Sequence, residues 1–550
     1  MSGALGQFMP QWEDPSHAAS FWFRDMMHFP VPVTPLNATL FQPAFSRGAT
    51  AAISRMSMPI TALTAGVHHG YVYLCPSPFD GDAAAMQARF AEMQRLTMEM
   101  GATVLKDWYE TFEPRILALA EEMMDCDFAA SPSQAIARHL EDRQDGLTEV
   151  WDIHMRVNIP PMNAVFAFEE MIGQTLGKAA VARSRGLMQG FDNKSLALGH
   201  ALWELAQWVR GQPGLAVAVA GAHVRQGKVV LAPHPQARDF TARLADFLET
   251  YGWRSDVFAE FGHPSWREDP STALTQIKGF LADEGSQSPY ARQAAERDAR
   301  AALEREFEAM LPEPARPAFR ALLPLVQQYV PVAEDHNFTI DQKFTVVTRE
   351  AFLHLGRGLV RDGALGEADD VFYLTQDEIE GIADGKGPES FRAVVALRRQ
   401  ARVAQGRMQP PPFIGTPPPA DVPPDPLAAK FFGVGITPSE DPKVIVGHGA
   451  SPGRATGIAR VVRSLDQAGK LTPGDILVCQ MTMPAWTPLF AQVAAVVADT
   501  GGALSHCAIV AREYGIPCVA GTMFGTRAIP DGARIHVDGT TGMVRILDGA

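Results

Sequence analysis

The residues best placed to do chemistry lie near the C-terminus, in Thr500-Gly501-Gly502-Ala503-Leu504-Ser505-His506-Cys507-Ala508-Ile509-Val510-Ala511-Arg512-Glu513. An apolar run, Val493 to Ala498, reads as a buried strand entering a Gly-Gly turn. Ser505 then reads as the N-cap of a helix that holds His506 in its first turn. Helix N-termini present unpaired N–H groups and the positive end of the macrodipole, both of which favour an anion. An imidazole nitrogen is nucleophilic near neutral pH and can carry a phosphoryl group. His506 therefore reads as a phosphohistidine, with Thr500, Gly501, Gly502 and Ser505 around the phosphate, the alternative being a capped helix whose histidine simply occupies a turn.

The run continues through Tyr514-Gly515-Ile516-Pro517-Cys518-Val519-Ala520-Gly521-Thr522. As a whole it resembles the swivelling phosphohistidine domain of the phosphoenolpyruvate-utilising dikinases. That family includes phosphoenolpyruvate synthase, pyruvate phosphate dikinase, rifampin phosphotransferase and phenylphosphate synthase. Cys507 stands where the family often has alanine. Ser451 to Gly457 resembles the entry to the mobile domain, and Pro530-Asp531-Gly532 with Val537 to Gly542 resembles its exit. Three earlier segments resemble the acceptor-binding region of rifampin phosphotransferase and phenylphosphate synthase-like proteins. They are Trp22 to Leu36, Phe247 to Pro270, and Tyr329 to Arg349 with its continuation to Thr375.

The third segment concentrates further candidates. Phosphoryl transfer needs positioning and positive charge around the equatorial oxygens, and an acceptor hydroxyl benefits from a base within hydrogen-bond reach. Glu334 and His336 could orient or deprotonate the acceptor, while Lys343 and Arg349 could hold phosphate. A solvated helix face with ordinary ion pairs is the alternative. Arg254, beside Trp253, could hold a planar substrate or phosphate, or belong to a structural aromatic cluster. His154 is another acceptor-site candidate, and His28 reads as a structural histidine. No metal-ligand set is recognised, so the metal residues stay unknown.

These residues need a scaffold of more than one domain. A large, mainly α-helical acceptor domain is expected over residues 1–407, then a proline-rich linker and hinge over 408–440. A small β/α swivelling phosphohistidine domain is expected over 441–550. Proline at the density of Pro410 to Pro426 forbids helix and interior strand, and Gly433 and Gly435 offer hinge points. Apolar residues at helical spacing predict helices over 83–112, 115–124, 178–188, 195–210, 234–251 and 290–311, with Pro114 separating the first two. Strands are expected at 71–74 and 229–231, and beyond the linker at 443–447, 456–462, 475–479, 493–498, 516–520, 534–538 and 543–547.

Over 550 residues the hydrophobic share is 46% and the charged share 20%, which suits a globular protein with room for several cores. A formal net charge of −14 argues against nucleic acid or an anionic membrane as partner. Five cysteines without metal-ligand spacing suit a reducing cytoplasm. No signal peptide is evident and no apolar run is long enough to span a bilayer.

The resemblance implies a dikinase cycle: ATP, a phenol and water give an aryl phosphate, AMP and phosphate through His506. The chain shows no Walker-type loop, and the family's ATP-grasp region and phosphoenolpyruvate barrel are not recognised in it. A separate ATP-grasp subunit binding ATP with Mg2+ or Mn2+ is therefore expected as partner. The expected acceptor is a phenol or 4-hydroxyphenyl ketone of aromatic catabolism. A rifampin-type antibiotic phosphotransferase component and a non-catalytic regulatory homologue are the other readings.

Overall fold

The computed structural model describes residues 8–12, 14–26, 28–282, 288–387, 389–416, 439–482, 484–502 and 505–547. They form two compact units, and each is built from separate stretches of chain. One comprises Met1–Pro160, Val257–His263 and Thr339–Val422; the other comprises Pro161–Asp256, Pro264–Phe338 and Pro423–Ala550. This differs from the linear partition expected at 408–440, because residues 161–256 and 264–338 group with the C-terminal β/α segment. Residues 417–438, which hold most of the expected linker and both hinge glycines Gly433 and Gly435, lie outside the described residues.

In the first unit an antiparallel sheet places Phe21–Arg24 between Tyr71–Pro78 and Phe413–Gly415, with Ile60–His68 at the other edge. Phe413–Gly415 directly follows Pro410 to Pro412, and it is an edge strand, where a neighbouring proline run is tolerated. The hairpin turns at His69 and Gly70, both with positive φ (51° and 78°), the combination a two-residue I′ turn requires. Ala83–Asp107 continues through a π-helical stretch, Trp108–Phe112, into Glu113–Met124. Pro114 thus does not separate two helices as expected: it sits in the first turn of the new segment, where its missing N–H costs nothing.

The second unit pairs helices with an eight-stranded sheet. Its strand order is Val444–Val446, Met543–Ile546, Arg534–Asp538, Arg454–Val462, Ile476–Cys479, Ala495–Ala498, Cys518–Ala520 and His448–Ser451. Four neighbours, from Arg454–Val462 to Cys518–Ala520, run parallel. Ile476–Cys479 and Ala495–Ala498 are buried along their whole length, the unbroken apolar pattern of parallel strands covered on both faces. Ile476, Val478, Val497, Val519, Ile535 and Val537 share one core. The strand His448–Ser451 was not foreseen, since His-Gly-Ala-Ser carries little strand propensity.

Two long helices also escaped the sequence pattern. Asp145–Leu176 contains Pro160 and Pro161, and Arg316–His336 contains Pro324 and Pro331 before a π-helical stretch, Asn337–Phe344. Interior proline normally ends a helix, so both segments look interrupted in sequence. Burial of apolar faces overrides that cost: Leu325, Val326, Tyr329, Val330 and Val332 are all buried. No described helix is long and apolar enough to cross a membrane.

Candidate phosphohistidine site

The parallel strand Ala495–Ala498 delivers the chain into Asp499 and Thr500, and the helix His506–Glu513 follows. The loop is anchored at several points. Asp499 accepts hydrogen bonds from the Thr526 N–H (2.9 Å) and the Thr522 hydroxyl (3.2 Å). Thr500 donates from N–H and hydroxyl to the Gln480 carbonyl, each at 3.0 Å. Gly501 adopts φ +93°, a left-handed conformation that an L side chain would strain. This places His506 just beyond the carboxyl end of a central parallel strand, where open α/β sheets bind ligands.

Ser505 occupies the N-cap position as expected, yet its hydroxyl does not cap the helix. It donates instead to the Gly502 carbonyl at 2.9 Å. The amides of the helix's first turn are therefore not spent on a serine oxygen, which suits an anion site better than a closed cap.

His506 is held from the opposite side. Its Nδ1 lies 3.2 Å from Glu334 Oε1, and the other carboxylate oxygen, Oε2, accepts a 2.5 Å hydrogen bond from the Ser195 hydroxyl. His506 Nε2 is buried without a hydrogen-bond partner among the described residues. Burial alone would raise the Glu334 carboxyl's pKa. The His506 charge, the hydrogen bonds from His506 and Ser195, and the His336 charge together outweigh burial and hold it below its ordinary value.

Ser195 reaches Glu334 because the helix Lys194–Arg210 begins there. Asn193 caps it, accepting from the N–H groups of Ser195 (3.0 Å) and Leu196 (2.9 Å). The Lys194 N–H donates to Asp335 Oδ1 at 2.7 Å, tying that N-terminus to the helix carrying Glu334. Side chains from the first turns of two helices, Ser195 and His506, thus meet the Glu334 carboxylate.

Arg254 completes the site electrostatically. Its guanidinium is buried against the Phe338 ring, 4.4 Å from the centroid, and Nη2 donates to the Lys194 carbonyl at 3.1 Å. Nε and Nη1 have no partner among the described residues. Burial lowers its pKa to about 10, against the raising influence of Glu334, Tyr251 and Asp335, so it stays a cation at neutral pH. A buried planar cation with free N–H groups matches phosphate oxygens.

The remaining candidates divide between the units. His336 belongs to the unit of His506 and is buried, with Nδ1 2.8 Å from the Val332 carbonyl. Arg349, Lys343 and His154 belong to the other unit. Arg349 is engaged by the Phe261 carbonyl (2.7 Å) and Asp369 (2.6 Å), with its guanidinium over the Phe372 ring. His154 faces Asp341 at 3.6 Å. The solvated-face alternative for this segment does not hold, since Glu334, Asp335, His336, Asp341 and Arg349 are all buried. Ser195 was missed: a lone serine after a helix start carries no chemical signal in one dimension.

Two family descriptions match this chain. The rifampicin phosphotransferase fourth domain matches residues 154–334, ending on Glu334, and the PEP-utilising enzyme mobile domain matches residues 471–542, around His506. The chain belongs to the PEP-utilising enzyme family. It is multidomain and mostly helical, with the family's mobile domain toward the C-terminus. Among its relatives, chondramide synthase cmdD of Chondromyces crocatus is 32% identical over 98% of this chain and 14% of that protein. The uncharacterized phosphotransferase YvkC of Bacillus subtilis (strain 168) is 26% identical over 96% of this chain and 62% of its own length. Rifampicin phosphotransferase of Streptomyces sviceus is 27% identical over 79% of this chain and 50% of its own. The chain thus spans less than two thirds of the length of each of these relatives.

Proposed function

We propose that this chain is the phosphohistidine-bearing, acceptor-facing part of a small-molecule phosphotransferase. His506 takes a phosphoryl group on Nε2 and passes it to a hydroxyl of an organic acceptor. The observation that carries the reading is the arrangement of His506 itself. It sits in the first turn of a helix with an unspent N-terminus, Nδ1 on Glu334 and Nε2 without a partner.

The residues divide the work as follows. Glu334 orients the ring, the helix amides face the phosphoryl oxygens, and Arg254 supplies positive charge in a desolvated setting, where charge counts most. Both Glu334 oxygens are engaged and Asp335 accepts the Lys194 N–H, so these carboxylates do not fit a magnesium ion. ATP, with Mg2+ or Mn2+, is assigned in this proposal to an ATP-grasp partner that loads His506 and releases AMP and phosphate. A cytosolic setting belongs to the same proposal.

The relatives favour an acceptor of the rifampicin type over the phenol or hydroxyphenyl ketone expected from aromatic catabolism, because several are rifampicin phosphotransferases. The test uses labelled ATP, magnesium and an ATP-grasp protein with wild-type chain and His506→Ala, followed by rifampicin, phenol and a 4-hydroxyphenyl ketone as acceptors. Acid-labile label on the wild type alone, discharged by one acceptor class, supports the proposal. Label retained by His506→Ala removes it, and a chain that never loads is the regulatory homologue instead.

A further inference from the structure

His506 and Glu334 are 172 residues apart in sequence and belong to different matched regions, the mobile domain and the fourth-domain helices. The Nδ1–Glu334 bond therefore exists only while the mobile domain rests on the helix Arg316–His336. Resting on the phosphohistidine reading above, we propose that Glu334 is a positioning residue that turns the stored phosphoryl group into a transferable one by holding a proton on His506 Nδ1.

The chemistry distinguishes two forms of the phosphorylated ring. With Nδ1 protonated, the Nε2–P bond breaks to release a neutral imidazole that keeps its Nδ1 proton. The acceptor oxygen forms the new O–P bond, and the hydroxyl proton passes to water. With Nδ1 unprotonated, the same bond must break toward an imidazolate, which takes up a proton only afterwards. The first leaving group is far better. A carboxylate 3.2 Å from Nδ1 favours the protonated form over the unprotonated one. A mobile domain lifted off the helix loses the carboxylate, and its phosphohistidine becomes a slower donor and keeps its cargo.

Glu334 is built for this role. Both oxygens are committed, Oε1 to His506 and Oε2 to Ser195, so it is not available as base for the acceptor hydroxyl. The charged and titratable groups around it are Arg254, His336 and Tyr329 on the helical side, and Glu513 on the histidine helix. Glu334 is the carboxylate that meets Nδ1, at 3.2 Å, while Arg254 is a cation and Glu513 lies at the far end of the histidine helix.

The experiment loads the full chain with phosphoramidate, quantifies phospho-His506 by mass spectrometry, and follows its loss from pH 5 to 9. Wild type, Glu334→Gln and Ser195→Ala are compared. In the wild type, loss stays fast to a higher pH than in Glu334→Gln, giving about a tenfold difference at pH 8 and none at pH 5. Ser195→Ala falls between them. Should Glu334→Gln not fold, the Ser195→Ala shift alone decides. Normal loading with superimposed profiles overturns this inference and leaves the function reading standing; a wild type that never carries phosphate on His506 removes both.

Discussion

The Arg254 guanidinium lies 4.4 Å from the Phe338 ring centroid, with one nitrogen bonded and two without partners. Stacking fixes the plane of the fork, so the free Nε–H and Nη1–H have set directions. That is the property an arginine has and a lysine lacks. Arg254→Lys keeps a charge, loses the paired donors, and is expected to slow transfer from loaded enzyme by about 10²-fold while loading is kept. Single-turnover discharge of labelled His506 measures it. Equal discharge rates in the two proteins would remove Arg254 from the phosphate site.

Gly501 tests the loop ahead of the histidine. A Cβ there would lie 2.6 Å from Ser505 Oγ and 2.7 Å from Ser505 Cβ, and the φ of +93° adds about 1–2 kcal/mol of backbone strain for alanine. Gly501→Ala should displace Ser505 and the first helical turn, cutting His506 loading at least about tenfold. Gly474 is the matched control. It has φ +89° and open space at the Cβ position, so Gly474→Ala carries similar strain without the clash and should load normally. Equal loading of the two variants would count against a cradle at Gly501.

How much of this was legible in one dimension depends on how local each signal is. His506 was readable because strand, Gly-Gly turn and helix start are contiguous, and the resemblance to the PEP-utilising family stands. Glu334 and Arg254 could be named from residue type, but not their relation to His506, which depends on chain folding back across 172 residues in the case of Glu334. Helices crossing Pro160, Pro161, Pro324 and Pro331 were lost because tertiary burial, invisible locally, outweighs the proline penalty. Division into two units fails to show for the same reason: the crossings near 160, 257, 264 and 339 carry no linker composition.

His28 and Asp25 make a third test, of stability in the other unit. Asp25 is fully buried and accepts from the His28 N–H (3.0 Å) and ring Nδ1 (2.8 Å). Burial lowers the His28 pKa, but Asp25 and Asp341 together outweigh it and raise the value to about 9. The folded state thus binds this proton more tightly than the unfolded one. Its stability is fully present below about pH 6.5 and is lost as pH rises through about 9. Asp25→Asn removes the anion and should cost about 3 kcal/mol at pH 6. Thermal unfolding from pH 6 to 9 should show the gap to wild type closing; a constant gap would mean the pair is not linked to folding.

The last test concerns the far end of the histidine helix. Glu513 is buried there, accepts from the Gly190 N–H at 3.2 Å, and lies beside the Glu296 carboxyl. Burial raises both carboxyls. Repulsion from Glu513 adds to the effect on Glu296, and Glu334 adds to it on Glu513, while Arg292 and Arg512 act the other way. The pair then titrates between about 7 and about 9 in the folded protein, against 4.5 for an ordinary glutamate. A raised folded value means the proton stabilises the contact, so its contribution is full below about pH 4.5 and is lost as pH climbs through 7 to 9. Two anions at a helix C-terminus also oppose the macrodipole. Deuterium exchange of residues 506–513, corrected for intrinsic rates, should therefore speed up from pH 6 to 9 in the wild type. Glu296→Gln removes one ionising group and lets Glu513 accept from an amide, so its pH slope should be markedly flatter. Parallel slopes in the two proteins would show that the carboxyl pair does not hold this helix in place.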